Sequence, residues 1–383
     1  MKKVAIIGGG ISGLYMASLL RLNSNYEVSI YEKNNSINLE KGYGIQLSVN
    51  SVKLLNKIGF QNINFEEKFF PNKVNFYSLK NKSKICDLDI SAFNSYEDKY
   101  TTLQRFTLID FLRNKIPSNL INFNKKVIEV QSESEITKVI FEDKSSIECD
   151  YLIISDGAFS KTRSLIANKE IKPSYFNSIA VRGNIDQNDL WNIDHNNISL
   201  FLGSNLHSVV YPVNQNGQLN FIAILRKKLN SNELANYSLF NNDEFVSSTL
   251  FEISKQVDRN IVENLRDIKC FPVFVSTEIF QPKNKNTYII GDAFFTFPPT
   301  FAQGASQSIE VAHELYKNFE NGNDHFNKER IKRTKMIDRK SKFNYFVFHF
   351  SNPLMIFIRN LLMRYLVKNN RFINSYVGKI YKN

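Results

Sequence analysis

Three cysteines in 383 residues, Cys86, Cys149 and Cys270, stand far apart in the chain. They form neither a CxxC pair nor any metal-ligand spacing. That excludes a disulfide framework and a zinc module, so no metal site is expected, and a reduced, cytoplasmic compartment fits best. Tryptophan occurs once, at Trp191, and histidine only at His195, His207, His313, His325 and His349. Long uncharged apolar runs are missing as well. The most apolar stretch, Phe343 to Tyr365, is interrupted by His349, Arg359 and Arg364, which argues against a spanning helix. The first strand-like run begins almost at Met1, so no secretory leader is expected.

Acidic residues are also in short supply: 37 Asp and Glu against 49 Lys and Arg, a net charge of +12. One reading is a Lys- and Asn-heavy composition scattered over solvated faces. The other is attraction to anionic small molecules or anionic lipid. No basic cluster interleaves with aromatics as in a nucleic-acid module, which excludes that partner. A hydrophobic content of 43% is that of a globular protein, and the length suffices for two cores.

What the chain does have is a βαβ dinucleotide fingerprint in its first thirty-two residues. The apolar run Val4–Ile7 enters Gly8-Gly9-Gly10-Ile11-Ser12-Gly13, a helical segment follows to Leu22, and a second run, Val28–Tyr31, ends on Glu32. Gly8 permits a tight turn, Gly10 a close backbone approach to a pyrophosphate, and Gly13 close packing of helix on strand. Free N–H groups and the positive helix end converge where the pyrophosphate sits. Glu32 is placed to accept hydrogen bonds from an adenosine ribose, and its charge would repel a 2′-phosphate. The fingerprint alone does not separate FAD from NAD.

Further along, a helix is expected near Ser51–Ile58 and a hairpin of another sheet at Lys73–Leu79 and Lys84–Ile90. A helix over Thr107–Lys115 precedes a small meander, which leads into a buried strand, Tyr151–Ile154. Strands near Ile179–Ile185, Ile198–Leu202, Ser208–Val213 and Gln218–Leu225, joined by short polar turns, predict an antiparallel sheet. Helices should cover Asn242–Lys255 and Arg259–Leu265. The expected division is a discontinuous nucleotide-binding domain (1–72, 101–173 and 268–322), a hairpin (73–100), an inserted sheet domain (174–267) and terminal helices (323–383). Asn352-Pro353 should split the terminal helices in two. Their apolar face is open to three readings: packing on the body, a membrane interface, or a dimer contact.

Two later motifs decide the cofactor. Tyr151–Ile154 runs into Ser155-Asp156-Gly157, and Tyr288–Ile290 runs into Gly291-Asp292-Ala293, followed by Pro298, Pro299, Gln303 and Gly304 at a helix start. Both lie at carboxyl ends of sheet strands, where doubly wound folds bind ligands. With the Gly44-Ile45-Gln46-Leu47 segment, Leu103–Leu108 around Arg105, Arg182-Gly183, Tyr211-Pro212-Val213 and Asn220-Phe221, the chain resembles the single-component FAD-dependent aromatic hydroxylases over essentially its whole length. Within that group it looks most like the salicylate-hydroxylase-type members.

The resemblance implies an α/β protein of the para-hydroxybenzoate hydroxylase (PHBH) type: a Rossmann-like FAD-binding domain, an inserted antiparallel substrate sheet and C-terminal helices. It implies FAD as cofactor, NADH or NADPH and O2 as co-substrates, and hydroxylation of a small aromatic substrate through a flavin C4a-hydroperoxide. By the same resemblance Gly8, Gly10, Ile11, Ser12, Gly13, Glu32 and Lys33 hold the AMP half of FAD. Arg105 lies at the flavin–ribityl region, and Asp156 with Gly157 serves FAD and NAD(P)H. Gly291 and Asp292 meet the ribityl chain or pyrophosphate. Pro299, Gln303, Gly304, Ala305 and Ser306 form the helix opening, whose N–H groups would hold charge at the flavin N1/C2 edge.

His207 is the candidate base and Tyr211 a second pocket group; a packed structural role is the alternative for each. Phe294-Phe295 stands where the family has Ala-His after Gly-Asp-Ala, and Ala302 where Gly is usual. The phenylalanines are expected to make the flavin mouth bulkier. Rival readings are a hydroxylase of prenylated quinone precursors at a membrane surface, peripheral to an inner membrane, and a flavin-binding regulatory protein without turnover. Monomer and homodimer both remain open.

Overall fold

A computed structural model describes residues 1–37, 42–133, 135–186, 193–321 and 326–381. Trp191 and His325 lie outside the described residues. The amino-terminal βαβ unit forms as the fingerprint requires: strand Lys2–Ile7, helix Ile11–Leu20, strand Tyr26–Tyr31. They belong to a five-stranded parallel sheet ordered Thr287–Ile289, Tyr151–Ile154, Lys2–Ile7, Tyr26–Tyr31, Ile121–Asn122. Helix Ile11–Leu20 is apolar all round and buried from Ser12 to Leu20, because it is covered by the sheet on one side and by helix Gly304–Asn321 on the other.

The second large sheet has seven strands, ordered Arg266–Val275, Ser174–Asp186, Gln218–Arg226, Leu206–Pro212, Ile198–Gly203, Lys73–Ser78, Lys84–Asp89. The expected hairpin thus joins this sheet, through a parallel pairing of Lys73–Ser78 with Ile198–Gly203. Arg266–Val275 corrects the expected boundary at 267/268. Ten residues long, it pairs along Ser174–Asp186 and keeps the chain in the substrate sheet to Val275. Its alternation is masked by Pro272 and by charged edge positions, which suit an edge strand but hide it from period counting.

Two smaller sheets complete the fold. One is the expected meander, Val127–Glu133, Ile136–Phe141 and Ser146–Cys149. The other was not anticipated: Gly44–Leu47 and Lys68–Phe69 pair on either side of Thr101–Gln104. Gly44 sits there because a Cβ would lie 2.5 Å from Val213 Cγ1 and 2.7 Å from Asn220 Cβ. This ribbon bridges the two large sheets.

After Phe326 the chain is helical, as expected. Helix Phe326–Phe348 ends before Asn352-Pro353, and Asn352 caps Pro353–Leu366 by accepting from the N–H groups of Leu354 (2.9 Å) and Met355 (3.3 Å). Ile337, Phe348, Ile380 and Tyr381 pack over the large-sheet face that carries Val209 and Tyr211.

Candidate active site

Three loops meet at the carboxyl edge of the parallel sheet, and their glycines explain how. Gly8 has φ +104°, and a Cβ there would meet Ser155 O at 2.6 Å. At Gly13 a Cβ would lie 2.1 Å from Gly8 O, and at Gly291 it would lie 2.3 Å from Ser12 Oγ. These glycines let the first turn, the Asp156 turn and the Asp292 turn pack against one another. Gly10, Gly157 and Gly304 differ: a Cβ at each would meet nothing within 4 Å. They face open space along the cleft, as a backbone that approaches a ligand does.

Glu32 closes the second strand. Its Oε2 accepts from Gly9 N–H (2.8 Å) and its Oε1 from Asn34 N–H (3.0 Å). Each carboxylate oxygen keeps a lone pair for a ribose hydroxyl. Lys33 beside it is exposed. Ile11 packs into the core and Ser12 is buried against the Gly291 turn, which leaves their backbone to the cleft.

Asp156 turns toward its own loop. Its Oδ2 accepts from Thr162 Oγ1 at 2.8 Å, while Oδ1 is buried without a partner among the described residues and burial pushes the carboxyl upward. A residue without an assigned role holds this loop to the next one. Arg163 is buried and donates to the carbonyls of Ala293 (2.5 Å), Ala158 (3.0 Å) and Ile171 (3.2 Å). Its place six residues after Gly157 was the available signal, but a basic residue at the start of a helix reads as solvated.

Asp292 and Arg105 lie close enough for each to act on the other's charge. Both side chains have exposed surface, yet enough protein lies around them for desolvation to shift both groups. That desolvation pushes the Asp292 carboxyl up to about 6, against the pull of the Arg105 guanidinium. Arg105 itself is lowered by burial and by Arg182, and is favoured by Asp292. Arg182 lies over the Tyr43 ring at 5.7 Å and also acts on Tyr211.

Tyr211 is buried, and its hydroxyl lies near the side chains of Gln46 and Asn220. Gln46 Oε1 accepts from Tyr100 at 2.7 Å, and Asn220 Oδ1 accepts from Gly44 N–H at 2.7 Å. Asn220 Nδ2 is a buried donor with no partner among the described residues. Gln46 was part of a recognised segment, but nothing in its spacing marked it as a site residue.

His207 is placed elsewhere, which corrects its candidacy as base. It points from the same sheet face as Tyr211 but four residues away, at about 3.3 Å per residue. Its Nδ1 lies 2.8 Å from His349 Nε2, and its ring packs edge-on against Phe348. Burial holds its pKa down at about 3, so it is a neutral packing residue that pins the C-terminal helix.

The expectation for Phe294-Phe295 is corrected as well. The turn bonds Phe294 N–H and Phe295 N–H to Gly291 O, and this winding sends both rings under the loop into a core with Ile7, Leu152 and Ile289. Pro298 is buried and Pro299 half-buried on the approach to the helix. Ala302 has φ +51°, so the chain takes a left-handed turn there without a glycine.

The first helical hydrogen bond runs from Gln307 N–H to Gln303 O (2.8 Å), which leaves the N–H groups of Gly304, Ala305 and Ser306 as first-turn donors. The Ser306 side chain is engaged by Ser48 N–H and Ser51 Oγ, each at 3.0 Å, so only its backbone is free for a ligand. Behind the turn lies Glu310, wholly buried. It accepts from Asn50 (2.7 Å), Gln307 (3.2 Å), Arg330 (2.9 Å) and Arg333 (2.7 Å), and the two guanidinium groups hold its pKa down despite burial.

The cleft, its side-chain-free rims and the unspent donors fit an extended dinucleotide such as FAD. The comparisons agree. The chain matches the family described as FAD binding domain over residues 1–321. It belongs to that family and is an FAD-dependent monooxygenase of the aromatic-hydroxylase type. It is 22% identical to 6-hydroxynicotinate 3-monooxygenase of Bordetella bronchiseptica, over 96% of this chain and 98% of that one. It is also 22% identical to 3-amino-4-hydroxybenzoate 2-monooxygenase PtnB3 of Streptomyces platensis, over 82% and 78%. Among solved structures, Klebsiella pneumoniae HpxO complexed with FAD and uric acid superposes with TM-score 0.82 at 18% identity, covering 99% of this chain and 96% of that one. A salicylate hydroxylase substrate complex superposes with TM-score 0.76 at 16% identity, covering 100% and 98%.

Proposed function

We propose that this protein uses NADH or NADPH and O2 to hydroxylate an electron-rich ring, a phenol or an aromatic acid, held against the large sheet beside the FAD cleft. One observation carries the reading: Gly44 N–H donates to Asn220 Oδ1 (2.7 Å) and Thr102 Oγ1 to Pro212 O (2.6 Å), which supports one site shared by the ribbon leading into Arg105 and the sheet strands beside Tyr211. The relatives named for hydroxynicotinate and aminohydroxybenzoate support a ring bearing hydroxyl and carboxylate groups.

Bound FAD would supply the redox chemistry, taking hydride from the nicotinamide and passing one oxygen atom of O2 to the ring. The chain would do the rest. Gly8, Gly10 and Gly13, with the N–H groups of Ile11 and Ser12, would receive the pyrophosphate. Glu32 would hold the adenosine ribose, Asp292 and Arg105 the ribityl end, and the Gly304–Ser306 donors the negative charge of reduced flavin. Asp156 and Gly157 would shape the same rim, with Pro299 and Gln303 setting its approach.

Burial raises the Tyr211 pKa, so its phenol keeps its proton at neutral pH and can donate to an ionised substrate oxygen. Arg182 supplies the counter-charge for that oxygen or for a ring carboxylate. Tyr211 thus replaces His207 as the group at the ring. The protein is read as cytoplasmic.

Purified protein should be yellow and should consume NAD(P)H faster when the right aromatic compound is added, with one oxygen atom appearing in the product by mass spectrometry. Tyr211→Phe should slow that turnover while leaving the flavin spectrum intact. A flavoprotein that answers to no phenol or aromatic acid would instead be the regulatory protein without turnover; a colourless protein that refuses FAD would remove the cofactor itself.

A further inference from the structure

Helix Pro353–Leu366 is amphipathic in the wrong sense for a helix packed on a globular body. Leu354, Phe357, Ile358, Leu361, Leu362 and Tyr365 recur at three- and four-residue steps and all face outward, between 40% and 68% exposed. Of the polar residues, Arg359 faces inward, Asn360 is half-buried and Arg364 is exposed. Arg359, only 4% exposed, donates to the carbonyls of Val347 and Phe348 and to Asn360 Oδ1, and Arg364 donates to Ile85 O. Phe343 and Phe346 on the preceding helix extend the same apolar surface, at 56% and 59% exposed. A surface this apolar marks an interaction site rather than a solvated face.

The charge of the chain segment that carries this face points to the partner, although Arg359 itself is turned away from the face. From Arg339 to the end the chain carries nine Lys and Arg and no Asp or Glu, so nine of the twelve net positive charges belong to this segment. A second copy docking through the same face would set the two cationic segments against each other, because a two-fold contact is self-complementary in position but not in charge. An anionic surface with an apolar interior satisfies both features at once. Fourteen residues make a helix about 21 Å long, too short to cross a bilayer, and no helix among the described residues is long and apolar enough to do so.

We propose that this face docks on an anionic phospholipid bilayer, with helix Pro353–Leu366 lying flat among the headgroups and its aromatic and aliphatic side chains entering the acyl boundary. The proposal does not depend on the hydroxylation reading, since lipid binding is measured without turnover.

The test uses the full chain loaded with FAD and two kinds of vesicle, phosphatidylcholine alone and phosphatidylcholine with about one-third phosphatidylglycerol. Co-sedimentation is expected with the anionic vesicles, at least about tenfold weaker with neutral ones and similarly weakened by molar salt. Phe357→Asp combined with Leu361→Asp should lower binding at least about tenfold while the melting temperature and flavin absorbance stay put, because both side chains are exposed. No binding to anionic vesicles, or equal binding by the double variant, overturns the proposal. So does a dimer in light scattering that the same double variant dissociates, which would give the face to a second copy.

Discussion

The cofactor edge and the substrate face are built by different means. At the edge, three glycines have neighbours within 2.1–2.6 Å of an added Cβ, and each loop contributes one charged or polar side chain. At the face, Tyr211, Gln46, Asn220 and Tyr100 form a polar cluster from residue types found in any sheet protein. The first construction tolerates almost no substitution, because backbone must touch backbone. The second tolerates many, which is how one scaffold can accept different rings.

If that contrast is right, the greatest damage should come from filling a glycine. Gly13→Ala puts a methyl 2.1 Å from Gly8 O and should cost more than about 4 kcal/mol, seen as loss of soluble, flavin-containing protein. Next in size is Glu310→Gln, which leaves Arg330 and Arg333 without their carboxylate in a buried site. About 3–5 kcal/mol should be lost in urea unfolding. The exposed pair Lys126–Glu142 is the control, and Glu142→Gln should cost about 0–1 kcal/mol.

Asp292→Asn sharpens the comparison through pH. In the fold the Asp292 carboxyl is raised from 3.8 to about 6, so the native state binds the proton more tightly than the unfolded chain. Stability from this group is fully present below pH 3.8 and falls as pH rises to about 6, after which the penalty is constant. Flavin-free Asp292→Asn should therefore melt with the parent protein near pH 4 and above it at pH 7, while binding FAD more weakly. A parent advantage at pH 7 would show that the carboxylate is not disfavoured. The smallest effect is expected at Ala302→Gly, which relieves the φ of +51° and should stabilise by about 0.5–1 kcal/mol in thermal unfolding, flavin retained.

The same contrast explains what could be read from the chain before its structure. Gly8, Gly13 and Gly291 were legible because a glycine demanded by sterics sits at a fixed distance from strand and helix. The parallel strands, the hairpin and the Asn352-Pro353 break were legible for similar reasons of period and backbone chemistry. His207 was misread because a strand position shows its face but not its depth, and the partner that buries it, His349, lies far away in the chain. Arg163 and Glu310 escaped for the converse reason: each is a charged residue whose partners come from distant segments, and local sequence gives such residues a solvated look. Phe294-Phe295 failed on winding, since one turn decides whether a ring meets the cleft or the core.

The carboxylate of Glu310 reaches further than its own helix. Arg333 spans from it to the carbonyls of Lys379 and Ile380, at 3.0 Å each. The final residues therefore act as a latch on the element whose opening turn faces the flavin, and clipping the tail should be felt there as a shifted flavin spectrum, well away from the cut.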